Sequence, residues 1–490
     1  MKKERIILLC AFLIYMLSSI GGMMHHEIWA DEMHHFLLGR DSGSLNELCN
    51  NARYEGHPLL WNIILFVITR FTNDPVWMQI IHLIISFTTI IIFLRYAPFH
   101  WTVKVLFTFG YYMLFEYNLL CRNYALSALF LFWYVHENCK TDKKFLKQLL
   151  LLFLLANTHL FSFFISIALF FLLVSENRIS EISKQNKILS LIFLVTLGCI
   201  FYFQILPPND HMLVVQYNAD PLLSFKRISK VLGLAIKGFL PIPDITQYHL
   251  WNNNLIINHA KYFAMIFSSI LIFMPLILFY KNRRTLLLFY LPAFFIFCFV
   301  YISPLMVANR HAGFLMLLLL VCFWYNASSI YKAGKKYNMK KIFLYSLLII
   351  QLLSGSIMFM ADWTSSFSCG KETAEYLHEQ KLDRGIIAMS NMGSGSPLSG
   401  YLGRKLFYAE LNDFGSFAKW NTIPFIIPQD SVINRVKRLS VKTKSDIILV
   451  MNSNLIFTNK SDTNIDFIAV FNHSIIGSEN YFVYRIHASN

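Results

Sequence analysis

The sequence predicts a polytopic α-helical membrane protein of about eleven spans with a soluble α/β domain at its C-terminal end. Three observations predict it. The 490 residues are 56% hydrophobic and only 14% charged, too apolar for a soluble chain of this size. The apolar residues are gathered into twelve stretches, several of them near the roughly 20 residues that a helical span requires. After Asp362 the character changes to that of ordinary soluble sequence.

The twelve stretches run over about 5–24, 58–71, 76–94, 102–116, 119–135, 145–157, 159–175, 187–206, 261–280, 285–303, 309–329 and 340–361. The first follows Lys2, Lys3 and Arg5 like a signal peptide, but it is too long and lacks a small-residue cleavage site, so it reads as an uncleaved anchor. Basic residues cluster in four short connections: Lys140, Lys143, Lys144 and Lys147; Arg178, Lys184 and Lys187; Lys281, Arg283 and Arg284; and Lys332, Lys335, Lys336, Lys340 and Lys341. Positive charge marks the cytoplasmic side. The net charge of +15 therefore reports topology, and no nucleic-acid partner is expected. The stretch 340–361 then runs outward, which puts residues 362–490 in the same extracytoplasmic compartment as the loop after the first span. That arrangement requires an odd number of crossings, so one of the twelve stretches does not cross. The stretch 58–71 is the candidate, because about fourteen helical residues reach roughly 21 Å against a hydrocarbon core near 30 Å.

Residues 1–361 are thus expected to form a transmembrane module with external loops at about 25–57 and 207–260. The second loop opens Pro207-Pro208-Asn209-Asp210 and continues through Lys226 to Lys237 with basic and apolar residues at helical spacing. The pattern predicts a helix lying on the membrane surface, or a movable loop over a lipid-phosphate site. In the tail, 362–490, apolar β-branched and aromatic runs predict strands at 385–390, 405–409, 446–451, 467–471 and 481–486, and helices at 371–380 and 431–439. Alternation of this kind predicts a largely parallel sheet. The turn Gly393-Ser394-Gly395-Ser396-Pro397 lacks the lysine and full glycine pattern of a phosphate loop and reads as a plain turn. The eight cysteines show no CxxC spacing and read as packing, although Cys49 and Cys369 fall in one compartment and could bridge.

Acidic and imidazole groups are rare here, and those present gather at one face. Asp31 and Glu32 follow the first span, with Glu27 one helical turn before Asp31 and His34 and His35 one turn after it. Arg40 and Arg53 lie close enough to balance these acids in a merely solvated loop. A carboxylate at a membrane boundary can accept a proton from a hydroxyl or hold a divalent cation. Glu55-Gly56-His57-Pro58 enters the second apolar stretch from the same side. Arg122, in Arg122-Asn123-Tyr124, and Arg310, in Asn309-Arg310-His311, stand at the edges of later stretches, near Glu116 and the turn Asn157-Thr158-His159. Arginine is costly near a bilayer unless it meets an anion, and its planar fork suits phosphate; snorkelling to headgroups is the bland alternative.

Asp31-Glu32 after the first span, Glu55-x-His57-Pro58, Arg122-x-Tyr124 and a soluble C-terminal domain together resemble the GT-C membrane glycosyltransferases of the protein-mannosyltransferase and aminoarabinose-transferase type. The motif resemblance covers residues 25–135, and the remainder matches in layout. One departure is Leu59, where the family pattern has a second proline. The resemblance implies a GT-C-like fold in a bacterial plasma membrane. It also implies inverting transfer of a sugar from a polyprenyl-phosphate donor to a hydroxyl of a lipid, glycan or protein acceptor. Asp31 would be the base, with Glu32 beside it; Glu55, His57, Arg122, Tyr124 and, by a looser match, Arg310 would bind substrate. A divalent metal held by Asp31, Glu55 and His57 is a further expectation. Two other readings compete. A glycan polymerase or ligase using lipid-diphosphate-linked glycan would depend on Arg310-His311 rather than Asp31. A transporter or flippase would carry paired charges in broken helices, whereas the charges here collect at one face and no internal repeat is seen.

Overall fold

The computed structural model describes residues 2–176, 183–212, 224–303, 308–327, 339–421, 423–456 and 464–488. Arg178, Lys332, Lys335 and Lys336 of the basic clusters lie outside these residues, as does the middle of the second external loop.

Among the described residues, six helices are long and apolar enough to cross a membrane. They are α1 (Lys2–His25), α5 (Val76–Tyr96), α10 (Lys184–Ile200, continued by a π-helical turn to Ile205), α13 (Lys261–Phe279), α14 (Arg283–Ile302) and α16 (Met339–Thr364). Their outward faces carry unburied Leu, Ile and Phe, such as Leu13, Ile84, Leu191 and Phe273, as lipid-facing helices must. Shorter helices pack among them: α6 (Trp101–Thr108), α7 (Tyr124–Asn138), α8 (Phe145–Ala156), α9 (Leu160–Glu176) and α15 (Asn309–Tyr325). Nearly every residue of α15 is buried, so it forms the centre of the bundle.

The stretch expected not to cross is α4 (Leu60–Ile68), nine residues long and therefore roughly 13 Å. It packs beside α2 (Ala30–Asp41) and α3 (Leu45–Ala52), the two helices of the first loop.

The helix expected to lie on the surface is instead built into the bundle. This helix, α11 (Phe225–Phe239), is followed by the short α12 (Leu255–His259). It packs against α13 and α15 and buries Leu234, Ala235, Ile236 and Phe239. Gly238 makes the contact close, since a Cβ there would stand 2.6 Å from the Ala312 carbonyl oxygen. Its apolar face meets protein rather than lipid, a distinction that helical periodicity alone does not encode.

The tail folds as a six-stranded sheet in the order β3-β2-β1-β4-β6-β5. The strands are β1 (Ile386–Met389), β2 (Leu406–Tyr408), β3 (Asp413–Gly415), β4 (Ile447–Met451), β5 (Ile465–Phe471) and β6 (Tyr481–Ile486). Only β2-β1-β4 is parallel; β3 and the β6-β5 hairpin add antiparallel edges, so the sheet is mixed rather than largely parallel. Both faces are covered. Ile448 and Val450 point toward α17 (Gly370–Glu379) and α18 (Ser396–Tyr401), and Ile447, Leu449 and Met451 toward Val432 and Val436 of α19 (Gln429–Thr443). The Gly393–Pro397 segment is a turn leading into α18, and Gly395 lies against the Tyr408 ring. All eight cysteines are free, Cys49 and Cys369 included, which overturns the bridge between them.

Candidate active site

The site is organised by the first turns of α2. Glu32, at the third helical position, reaches back to accept a hydrogen bond from the Trp29 N–H at 3.1 Å, closing the helix start. The same carboxylate accepts from the Cys121 N–H and meets His26 Nε2 at 3.0 Å; His26 Nδ1 in turn meets Asp362 at the end of α16 at 3.0 Å. Glu32 has no exposed surface. Although next to Asp31 in sequence, it points into the packed interior and anchors the helix.

The tail domain supplies the other supports. Glu479 Oε1 accepts from the Ala30 N–H at 3.0 Å, and the Tyr401 hydroxyl accepts from the Ile28 N–H at 2.9 Å. The Ser416 hydroxyl donates to Asp41. Tail and first loop therefore lie at one end of the molecule.

Asp31, by contrast, is partly exposed and paired with two arginines. Its Oδ2 lies 2.6 Å from Arg310 Nη2 and 3.5 Å from Arg122 Nη1, and Arg122 also donates to the Asp31 carbonyl at 2.8 Å. Burial pushes the Asp31 carboxyl up, but Arg310 and then Arg122 outweigh it and hold the group below the usual carboxylate range. The Arg310 guanidinium lies over two indole rings, Trp29 and Trp251, each at 5.2 Å. Trp251 comes from the second external loop and donates to Glu116 at 3.3 Å; Tyr111 donates to the same oxygen at 2.8 Å and Asn309 to the Tyr111 hydroxyl at 2.9 Å. Glu116 ends a π-helical turn, Tyr112–Glu116, a distortion often found at functional sites.

On the other side of Asp31, Glu55 pairs with His34 at 2.8 Å and lies 3.9 Å from His35. Burial works against ionisation of Glu55, but the His34 contact outweighs it and its carboxyl stays below the ordinary range. His57 is pushed down to about 4, by burial first and then by Arg122, and so is neutral at pH 7. Its ring lies 4.6 Å from that of His159, which is flanked by Tyr124 at 5.0 Å and His311 at 5.6 Å. Asn123 donates to the Thr158 carbonyl at 2.6 Å, which fixes the 157–159 turn and with it His159.

The structure thus brings Asp31, Glu55, His57, Arg122, Tyr124 and Arg310 into one cluster and leaves Glu32 out of it. Beside Asp31 in this cluster, four buried nitrogens have no hydrogen-bond partner: Arg122 Nε, Arg310 Nε, His57 Nδ1 and His159 Nε2. Uncompensated donors of this kind suit an anionic, oxygen-rich ligand. They do not suit the expected divalent metal. Asp31 is already engaged by two guanidinium groups, and Asp31, Glu55 and His57 do not bring three ligand atoms within 4.8 Å of one another. Sequence reasoning missed Trp29, Trp251 and Glu479, while His34, read as one turn from Asp31, does join the cluster through Glu55. Trp29 lies two residues before Asp31, whereas nothing local marks Trp251 or Glu479.

No protein-family model and no curated protein matches the sequence. Among solved structures, the chain is similar to ArnT from Cupriavidus metallidurans in the apo state, at 11% identity and a TM-score of 0.54. The match covers 98% of this chain and 97% of that one. The likeness runs through both the helical bundle and the C-terminal sheet, and the chain shares the fold of that structure.

Proposed function

We propose that this protein is an inverting glycosyltransferase that moves a sugar from a polyprenyl-phosphate donor to a hydroxyl of a lipid, glycan or protein acceptor. The shared fold with ArnT, an aminoarabinose transferase, supports a lipid-linked sugar as donor. The observation that carries the reading is the convergence of one carboxylate, Asp31, with two guanidinium groups that retain unpartnered buried N–H groups. That set matches the two charges the reaction must handle. The acceptor oxygen attacks the anomeric carbon and gives its proton to Asp31. The bond from that carbon to the phosphate oxygen breaks, and the lipid phosphate leaves with the electron pair.

Arg310 is paired with Asp31 at 2.6 Å. A donor phosphate would compete for Arg310 and Arg122, freeing the carboxylate to take a proton as the leaving group is neutralised. The neutral imidazoles of His57 and His159, with Tyr124, would hold sugar or acceptor hydroxyls. Glu55 would keep His34 and His35 in place. We further read residues 1–361 as the catalytic membrane module, in the bacterial plasma membrane, and 362–490 as an extracytoplasmic domain that braces α2. The polymerase reading set Arg310 against Asp31 as alternatives; their 2.6 Å contact makes them parts of one site.

The test is transfer of radiolabel from a polyprenyl-phosphate sugar in membranes carrying Asp31→Asn. Transfer should fall by at least about a hundredfold with insertion and melting temperature preserved, and wild-type rates would sink the assignment.

A further inference from the structure

Outside the site just described, the tail holds a cluster of a different chemistry. Cys369 caps the start of α17, Glu372 is the third residue of that helix, and His473 lies in the loop between β5 and β6. One ligand atom from each, the Cys369 sulfur, a Glu372 oxygen and a His473 nitrogen, lies within 4.8 Å of the others. His473 Nε2 is 2.9 Å from Glu372 Oε2. These two segments are brought together by the backbone, not by the cluster itself: Ile475 N–H donates to Ser366 O at 2.9 Å, Ile476 N–H to Phe367 O at 3.3 Å, and Cys369 N–H to Glu479 O at 3.3 Å. The Ser474 hydroxyl adds a bond to Phe367 O at 2.9 Å.

We propose that Cys369, Glu372 and His473 form a binding site for a divalent metal of zinc type. Thiolate, imidazole and carboxylate together are the donor set of borderline ions such as Zn²⁺ and are ill suited to Mg²⁺ or Ca²⁺. With zinc bond lengths, ligand atoms of a tetrahedral site lie roughly 3.3–3.7 Å apart. Cys369 is buried and fixed, while the Glu372 and His473 side chains are 42% and 47% exposed and free to close the remaining ångström or so.

A second observation points the same way. Two carboxyl oxygens in the electrostatic surroundings of Cys369, Glu27 Oε2 and Glu479 Oε2, are buried without a hydrogen-bond partner. A dication would give them a charge to face, and water is available as fourth ligand. Binding displaces the thiol proton, which passes to solvent, so the sulfur coordinates as thiolate. A metal here would tie the His473 loop to the start of α17, six residues before the Glu479 that holds the start of α2.

The test uses the full-length protein in detergent, stripped with chelator, dialysed against zinc alone and assayed for bound metal. About one zinc per chain should be retained. Cys369→Ser and His473→Asn should each weaken binding by at least about tenfold. Cobalt in place of zinc should give a thiolate-to-metal charge-transfer band that Cys369→Ser abolishes. His473 is half-exposed, so His473→Asn reports even if the buried cysteine variant fails to fold. No bound zinc in the wild type, or undiminished affinity in His473→Asn, would overturn the proposal in favour of a plain His473–Glu372 ion pair. Metal content does not depend on transferase activity, and Asp31→Asn should bind zinc as the wild type does.

Discussion

Replacing Arg310 by glutamine removes the cation 2.6 Å from Asp31 and should move the acid limb of the transfer reaction to higher pH. At about 4 Å between charge centres and an effective dielectric constant near 20, such a pair is worth about 4 kcal/mol, equivalent to roughly three pH units. The effect should be smaller, because the Asp31 side chain is 28% exposed and Arg122 remains at 3.5 Å. A shift of at least about one unit is expected. The sign follows from the chemistry. On the proposed mechanism Asp31 would act as base only when ionised, so the rate should fall as pH falls through its pKa; without Arg310, burial loses the largest of the charges that oppose it and that pKa should rise. The plateau rate should also drop by about a hundredfold or more, since the departing phosphate loses a preorganised donor. The assay is initial transfer rate against pH in detergent or vesicles, with Arg310→Lys as the charge-preserving control. Lysine cannot stack its ammonium flat against Trp29 and Trp251, so it should lose plateau rate while keeping an acid limb near that of the wild type. If the acid limb of Arg310→Gln superimposes on the wild type, the electrostatic account of Asp31 is wrong.

Three further outcomes rest on packing and hydrogen bonding. Glu32→Gln should destabilise the protein by about 3 kcal/mol, read as a lower melting temperature, because an amide cannot accept from His26, Trp29 N–H and Cys121 N–H together. Gly238→Ala should lower stability by about 1–3 kcal/mol, since its Cβ would stand 2.6 Å from the Ala312 carbonyl and both helices would have to part. Tyr401→Phe should cost about 1–2 kcal/mol by leaving the Ile28 N–H without its acceptor. Its melting curve should show a smaller shift than that of Glu32→Gln.

Polar residues stranded at the edges of apolar stretches were legible because the bilayer gives them no neutral explanation. Asp31, Glu55, His57, Arg122 and Arg310 could therefore be picked out one by one. The short reach of α4 was legible too, from residue count alone. What the sequence hides is direction. Asp31 and Glu32 are equivalent as letters, but successive positions on a helix point about a quarter-turn apart, and only Asp31 meets Arg122 and Arg310. Partners far apart in the chain are hidden as well: Glu479 meets Ala30 from 449 residues away, and His26 meets Asp362 from 336. The α11 pattern of basic and apolar residues fixes a face but not its partner, so packing against α15 could not be told from resting on lipid. In the tail, strands β1, β2 and β4 gave βα-type spacing, which correctly marks the parallel centre and says nothing of the antiparallel edges.

The supports of α2 also set a schedule. Asp362, Tyr401, Ser416 and Glu479 all emerge from the ribosome long after Asp31. At about 5–20 residues per second, the 449 residues between Ala30 and Glu479 take roughly 20–90 seconds to synthesise. Throughout that interval the start of α2 lacks the brace that Glu479 supplies. A nascent chain, or one truncated anywhere before Glu479, leaves the Ala30 N–H without this acceptor and, on the proposed mechanism, should transfer no sugar.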